Sequence, residues 1–230
     1  MIKAWSYLDE YKVLRKKILK SIDISLKSGQ IFFGNELNIF EKKFIKKNNL
    51  KYGVAVGSGT DALYIALLAL GIGKGNEVIT VSNTAIPTVS AIKSSGADVK
   101  FVDINNDYLI DVNKIEKCIS KRTKAIIPVH LYGLPCDMAK ICKIAKKYKL
   151  KIIEDCAQAQ GAKFNNKYFI GGGHSNTENN TLYLGLRNSH TLTMGFYDND
   201  IAIIQKFIDN RSNFFVTGIT VYVDEPIPAQ

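Results

Sequence analysis

Lys151-Ile-Ile-Glu-Asp-Cys-Ala-Gln-Ala-Gln-Gly161 is the stretch that decides the fold. Two apolar β-branched residues lead into two acids, Glu154 and Asp155, and then into small residues and a glycine. That is the pattern of a short buried strand with a carboxylate at its end, followed by a turn. Working back from it, Met138–Tyr148 has helical apolar spacing and Ala125–Val129 reads as a strand. The same alternation gives helix Val112–Ser120, strand Val99–Val102, helix Ile86–Ser95, strand Glu77–Val81, helix Thr60–Leu70 and strand Tyr52–Val56. Gly71, Gly73, Gly75, Gly96 and Gly133 punctuate the joints. Short apolar strands alternating with helices imply an α/β fold, a mostly parallel sheet covered by helices. Ahead of the series, an amphipathic helix is expected over Leu8–Leu26, ended by Ser28-Gly29, and a second from Asn35 to about Lys47.

After Tyr168 the character changes. Ile170-Gly-Gly-Gly-His-Ser-Asn-Thr-Glu-Asn-Asn-Thr181 is polar and turn-rich. Strand-like pieces follow at Ile201–Ile208 and Phe214–Val223, without an α/β period.

The chain has 230 residues, enough for a sizeable core, and its 46% hydrophobic and 23% charged content is that of a soluble globular protein. No apolar run spans a bilayer, and no apolar segment follows the basic start of Met-Ile-Lys, so no membrane and a cytoplasmic location are expected. The net charge of +10 raises nucleic acid as a partner. The lysines alternate with core positions, as in Lys140-Ile-Cys-Lys-Ile-Ala-Lys-Lys147, and belong to solvated helix faces, so no nucleic acid is expected. A basic surface also draws anionic small molecules. Four cysteines, Cys118, Cys136, Cys142 and Cys156, show no zinc spacing, and Cys142 and Cys156 read as small buried hydrophobes. The three histidines pair with no cysteine or carboxylate at ligand spacing, so no metal is expected.

Two places carry chemistry. Gly57-Ser-Gly-Thr60 joins a strand to a helix. Unpaired N–H groups and the dipole at a helix start suit an anion, Gly59 permits close approach, and Ser58 and Thr60 add hydroxyls. The competing readings are a plain N-cap and a dinucleotide fingerprint. The fingerprint needs an acid at the end of the next strand, where Val81-Ser-Asn-Thr84 has none. The second place is Asp155. An acid at the carboxyl edge of a parallel sheet faces the ligand crevice. Opposite a pyridine nitrogen it would keep that nitrogen protonated; the competing reading is a helix N-cap before Ala157.

With these residues in place, the chain resembles the DegT/DnrJ/EryC1/StrS family of sugar aminotransferases dependent on pyridoxal 5′-phosphate. The matching pieces are Ser28-Gly-Gln30, Gly34-Asn-Glu36, Ser58-Gly-Thr-Asp-Ala-Leu63, Leu70-Gly-Ile-Gly-Lys-Gly-Asn-Glu-Val-Ile79, Thr123-Lys-Ala-Ile-Ile-Pro-Val-His-Leu-Tyr-Gly133 and Ile153-Glu-Asp-Cys-Ala-Gln-Ala-Gln-Gly161. The similarity runs from about residue 7 to about 168. It implies the large domain of fold type I, the aspartate aminotransferase type, over 1–168, with 169–230 a divergent segment and the small C-terminal domain missing. By resemblance Gly59 and Thr60 hold the cofactor phosphate, beside the Ser58 hydroxyl read from the turn itself; Asp155 faces the pyridine nitrogen and Gln158 approaches the ring hydroxyl. Ala85 stands where the family often stacks an aromatic, and Gln160 where a histidine is common. The resemblance further implies a keto sugar nucleotide as substrate, glutamate as amino donor, and homodimers with composite active sites.

One part of the family pattern breaks. Aminotransfer needs a lysine that forms a Schiff base and shuttles protons. By resemblance it follows the aspartate by about thirty residues, yet between Lys167 and Lys206 there is none. Arg187-Asn188 mimics a Lys-Asn pair, but a guanidinium stays protonated and forms no imine. His190 opens His-Thr-Leu-Thr-Met-Gly195, which resembles the histidine motif of sugar 3-dehydrases that work without the lysine. The expectations are therefore an aminotransferase lineage without its lysine, a His190-type dehydrase, or a non-catalytic binding or dimerisation module of the same fold. Foreign or frame-disrupted sequence after Gly171-Gly-Gly173 is a further expectation.

Overall fold

Strand and helix alternate from Gly59 to Cys156 much as the apolar pattern predicts. The computed structural model describes residues 6–30, 32–48, 54–159, 162–164, 167–168, 181–187, 191–197 and 220–224. Helices α1 (Leu8–Lys27) and α2 (Asn35–Asn48) come first. Then follow α3 (Gly59–Ala69), β1 (Glu77–Val81), α4 (Ile86–Ser94), β2 (Asp98–Val102), α5 (Val112–Cys118), β3 (Thr123–Ile126), a 3-10 turn (Leu131–Gly133), α6 (Met138–Tyr148) and β4 (Lys151–Cys156). Short strands β5 (Lys163–Phe164) and β6 (Lys167–Tyr168) pair with each other, and β7 (Thr181–Arg187), β8 (Thr191–Tyr197) and β9 (Thr220–Asp224) complete the elements.

Two expected strands differ. Of Tyr52–Val56 the described part, 54–56, carries only bridge pairing at Ala55 and Val56. β3 ends at Ile126 rather than Val129, because Pro128 has no N–H to continue a ladder. The chain still runs beside β4: Asp155 N–H donates to the Pro128 carbonyl at 2.9 Å, and His130 N–H donates to the Asp155 carbonyl at 3.0 Å.

The main sheet has the order β2-β1-β3-β4-β7-β8-β9. The first five strands are parallel, β8 runs against β7, and β9 runs with β8. The sequence offers no α/β period after Tyr168, yet β7 pairs along β4 from Ile152 opposite Thr181 through Cys156 opposite Gly185. Of the two strand-like pieces expected there, 201–208 lies outside the described residues and 214–223 overlaps β9.

Alternate strand residues face opposite sides. Val78, Ala125, Ile127 and Ile153 pack with Leu63, Ala66 and Leu67 of α3 and Ala91 and Ile92 of α4. Ile79, Ile126 and Ile152 pack with Ile115 of α5 and with Met138, Ile141 and Ala145 of α6. Leu63, Leu67, Ile79, Ile92, Ile126 and Ile141 are among the side chains removed fully from water, each contributing about 1.5–3 kcal/mol.

The turns fix which end of each helix is where. Gly73 follows α3, and a Cβ there would sit 2.9 Å from the Ser95 carbonyl that ends α4. Gly96 follows α4 at φ 87°, and a Cβ on it would meet the Lys74 backbone N at 3.2 Å. Helices α3 and α4 therefore end together at the amino edge of the sheet. Eleven helical residues rise about 16 Å, as do five strand residues. Their starts accordingly lie at the carboxyl edge, with the end of β4.

The chain divides into two compact units, residues 1–40 and 41–230, and the candidate site belongs to the second. Among the described residues no helix is long and apolar enough to cross a membrane.

Candidate functional site

The strand order reverses between β1 and β3. β2 lies on one side of β1, and the chain then crosses back to place β3 and β4 on the other. At such a reversal the loops leave the sheet in opposite directions and open a crevice at the carboxyl edge. The segment after β1, Ser82–Ala85, borders it on one side. The segment after β3, Pro128–Leu131, borders it on the other, and the end of β4 lies beside that.

Asp155 shares the parity of Ile153 and so faces α4. Only 5% of it is exposed. Thr88 Oγ1 on α4 donates to its Oδ2 at 2.8 Å, and the Ala157 N–H donates to its Oδ1 at 3.1 Å. Burial pushes this carboxyl above the ordinary aspartate range, against the hydrogen bonds from Thr88 and Ala157 and the field of His130. The N-cap reading of Asp155 has a partial counterpart in the Ala157 contact, but no α-helix follows β4 among the described residues.

Glu154 has the opposite parity and faces α6. Its Oε2 lies 2.9 Å from His130 Nε2, with both side chains buried. His130 Nδ1 accepts from the Cys136 N–H at 3.0 Å, which puts the ring proton on Nε2, pointing at the carboxylate. The sequence separates His130 from any ligand-type partner, but the pairing of β3 with β4 brings His130, Glu154 and Cys156 together, with donor atoms within 4.8 Å of one another. Both ring nitrogens are engaged, so the cluster reads as a hydrogen-bonded core pair. Burial pushes the Cys156 thiol up to about 11 and the Cys142 thiol up to about 12, which keeps both protonated at neutral pH. Their expected role as small buried hydrophobes fits this.

At the start of α3, Ser58 is the N-cap. Its Oγ accepts from the Asp61 N–H at 3.1 Å and donates to Asp61 Oδ2 at 2.8 Å. The hydroxyl offered for an anion is thus committed to the cap. Gly59 and Thr60 open the helix, and their N–H groups are of the kind that a helix cannot satisfy internally. Ala85 is the N-cap of α4, solvent-exposed, with extended backbone at φ −68° and ψ 148°. Gln158 is exposed, and its Oε1 accepts the Tyr132 N–H at 3.0 Å. That contact holds Tyr132 in a left-handed conformation, φ 55° and ψ 23°.

The fold therefore gathers Ala85, Asp155 and Gln158 around the crevice and sets Ser58, Gly59 and Thr60 at the same sheet edge. His190, Asn188, Gln160, Lys206 and Gly171–Gly173 lie outside the described residues. Thr88 and His130 are the site residues that sequence reading misses as such. Thr88 looks like one of several helix hydroxyls, and 67 residues separate it from Asp155.

The DegT/DnrJ/EryC1/StrS aminotransferase family profile matches residues 12–178. A dTDP-3-amino-3,4,6-trideoxy-alpha-D-glucose transaminase from Micromonospora megalomicea subsp. nigra is 44% identical over 161 residues, which is 70% of this chain and 43% of that protein. The solved structure of S. venezuelae DesV superposes with a TM-score of 0.78 at 33% identity, covering 89% of this chain and 56% of that one. NtdA from Bacillus subtilis with bound cofactor PMP superposes with a TM-score of 0.71 at 35% identity, covering 84% of this chain and 44% of that one. This chain spans about two fifths of the length of the curated relative. The helix-covered, mostly parallel sheet expected from the resemblance is the fold found, and these structures share it.

Proposed function

The chain belongs to the DegT/DnrJ/EryC1/StrS aminotransferase family, and from that premise we propose that it holds pyridoxal 5′-phosphate in the crevice between β1 and β3. The observation that carries this reading is Asp155, a carboxylate that burial disfavours, kept at a ligand-facing sheet edge with one hydrogen bond on each oxygen. A buried carboxylate in that state matches a cationic partner such as a protonated pyridine nitrogen. The Gly59 and Thr60 N–H groups match the phosphate, Ala85 the ring face and Gln158 the ring hydroxyl. When bound, the cofactor supplies an electron sink for a carbanion on the substrate. The chain's own residues do the rest: α3 neutralises the anion, and Asp155 holds a proton on the ring nitrogen.

The lineage reaction is transfer of an amino group, from glutamate, to a keto-deoxysugar nucleotide. The named transaminase activity of the Micromonospora relative and the PMP bound by NtdA support the amino transfer to a deoxysugar nucleotide; glutamate as donor follows the family resemblance. We read residues 1–168 as the large-domain part and 169–230 as a divergent segment. A cytoplasmic homodimer is the working assembly. Because no lysine lies between Lys167 and Lys206, the cofactor is held without a covalent link.

The test is absorbance of the purified chain titrated with pyridoxal phosphate, before and after borohydride. Saturable, reversible binding that Asp155→Ala abolishes, with nothing fixed by reduction, is the expected result. No binding would overturn the cofactor reading. Reduction that fixes the cofactor on Lys163, Lys167 or Lys206 would overturn its non-covalent form.

A further inference from the structure

We propose that Thr84 and Thr88 form a directed hydroxyl pair that positions Asp155 and holds it ionised, with Thr88 the positioning residue and Thr84 its orienter. The inference deepens the reading of Asp155 given above and rests on it for its functional meaning, but its geometry does not.

The direction follows from proton counting. An ionised carboxylate can only accept. The contact between Thr88 Oγ1 and Asp155 Oδ2 is 2.8 Å, so the Thr88 proton must lie on that line. Thr88 Oγ1 also lies 2.8 Å from Thr84 Oγ1. With its only proton spent, Thr88 must accept there, and Thr84 must donate. The hydroxyls thus point in one sense, from the start of α4 toward the sheet. If Asp155 binds a proton on Oδ2, that sense has to reverse. Thr88 is fully buried, so its contact with Asp155 lies away from water, whereas Thr84 is only partly buried.

The spacing explains how the pair is built. Thr84 and Thr88 are four residues apart, with Thr84 just before the α4 N-cap Ala85 and Thr88 in the first turn. Pro87 needs no donor there and fixes the entry of the chain into the helix. The loop beside the crevice is thereby tied to the carboxylate. The other titratable group acting on Asp155 is His130 from the segment after β3, which favours its ionised form; Glu154 and Cys156, next to it on its own strand, face the opposite side of the sheet. None of these donates to its carboxyl oxygens among the described residues, so on Oδ2 the opposition to burial falls to Thr88.

The experiment uses the whole chain, labelled with 13C at aspartate carboxyls and titrated without cofactor. Loss of one signal in Asp155→Asn assigns Asp155. Thr88→Val keeps the side-chain shape and removes the hydroxyl; its Asp155 midpoint is expected to rise above that of the parent chain. Thr88→Ser is expected to return it. Thr84→Val should move it in the same direction by less. Affinity for pyridoxal phosphate should fall by about tenfold in Thr88→Val and recover in Thr88→Ser. An Asp155 midpoint unmoved or lowered in Thr88→Val overturns the proposal. So does a larger shift in Thr84→Val than in Thr88→Val, or failure of Thr88→Ser to rescue. If the parent chain binds no pyridoxal phosphate, the cofactor reading fails while the carboxyl titrations still decide the hydroxyl pair.

Discussion

Removing His130 should cost the protein far more than removing it together with its partner. In His130→Ala the Glu154 carboxylate loses its Nε2–H donor at 2.9 Å and stays at a position with no solvent exposure. Breaking a buried charged contact from one side costs about 3–5 kcal/mol. The Cys136 N–H loses its acceptor as well, about 1 kcal/mol or more. A total near 5 kcal/mol is a large share of the roughly 5–15 kcal/mol that holds a domain together. With a urea slope of about 2 kcal/mol/M, the unfolding midpoint should drop by about 2.5 M. The double substitution His130→Ala/Glu154→Leu removes the buried charge together with its donor and should be the more stable of the two variants, although it changes more atoms. Glu154→Gln keeps an acceptor for Nε2–H and should cost only about 1 kcal/mol. Urea unfolding followed by circular dichroism measures all three. A double variant no more stable than His130→Ala would refute the reasoning, because it would mean that loss of the imidazole donor leaves the buried Glu154 carboxylate at no cost.

At the amino edge, the Ser120 hydroxyl, followed by the Arg122 guanidinium and Thr123, holds the Glu77 carboxyl below its ordinary value of 4.5, against partial burial. A lowered folded value means that the contribution is present in full above 4.5 and fades as the pH falls through the folded value. Glu77→Gln should therefore lower stability at pH 7 and flatten its acid-side decline in a series of urea curves; an unchanged slope refutes it. Arg122 is more than half exposed, so salt should weaken its share. Gly73→Ala should destabilise by more than about 1 kcal/mol, since its Cβ would lie 2.9 Å from a backbone oxygen, and a thermal melt at the parent temperature counts against the packing described. Ser58→Ala should cost about 1 kcal/mol as a lost helix cap while reducing pyridoxal phosphate affinity less than Asp155→Ala does; equal losses of affinity would restore Ser58 as a phosphate ligand.

What the sequence displays plainly is whatever repeats locally. The apolar spacing of Met138–Tyr148, the Ser28-Gly29 stop and the Glu77–Val81 strand all express short-range periodicity, and the structure has each within a residue or so. The acid at the end of β4 is legible for the same reason. Pro128 could have warned that β3 would stop early. What stays hidden is long-range. Thr88 meets Asp155 across 67 residues, and His130 meets Glu154 across 24. Neither pairing follows from spacing, because each needs the strand order that sets β1, β3 and β4 side by side. Strand β7 is hidden differently: Thr181–Arg187 has strand-like composition, but only the open edge of β4 gives it a place. Ser58 shows the reverse difficulty, since a hydroxyl before a helix serves a cap and an anion equally well until Asp61 is seen to take it.

The adjacent acids of β4 carry a further meaning for how this segment can vary. Glu154 belongs to the α6 side and Asp155 to the α4 side, each matched to its own donor. Deleting a single residue ahead of them would move each to the other side, setting the aspartate in the Glu154 place, too short for His130, and Cys156 in the Asp155 place under Thr88. Removal of a pair of residues would keep the sides but shift the strand lengthwise. Odd changes in length within β4 therefore swap the two acids between layers, whereas even ones only displace them along the strand.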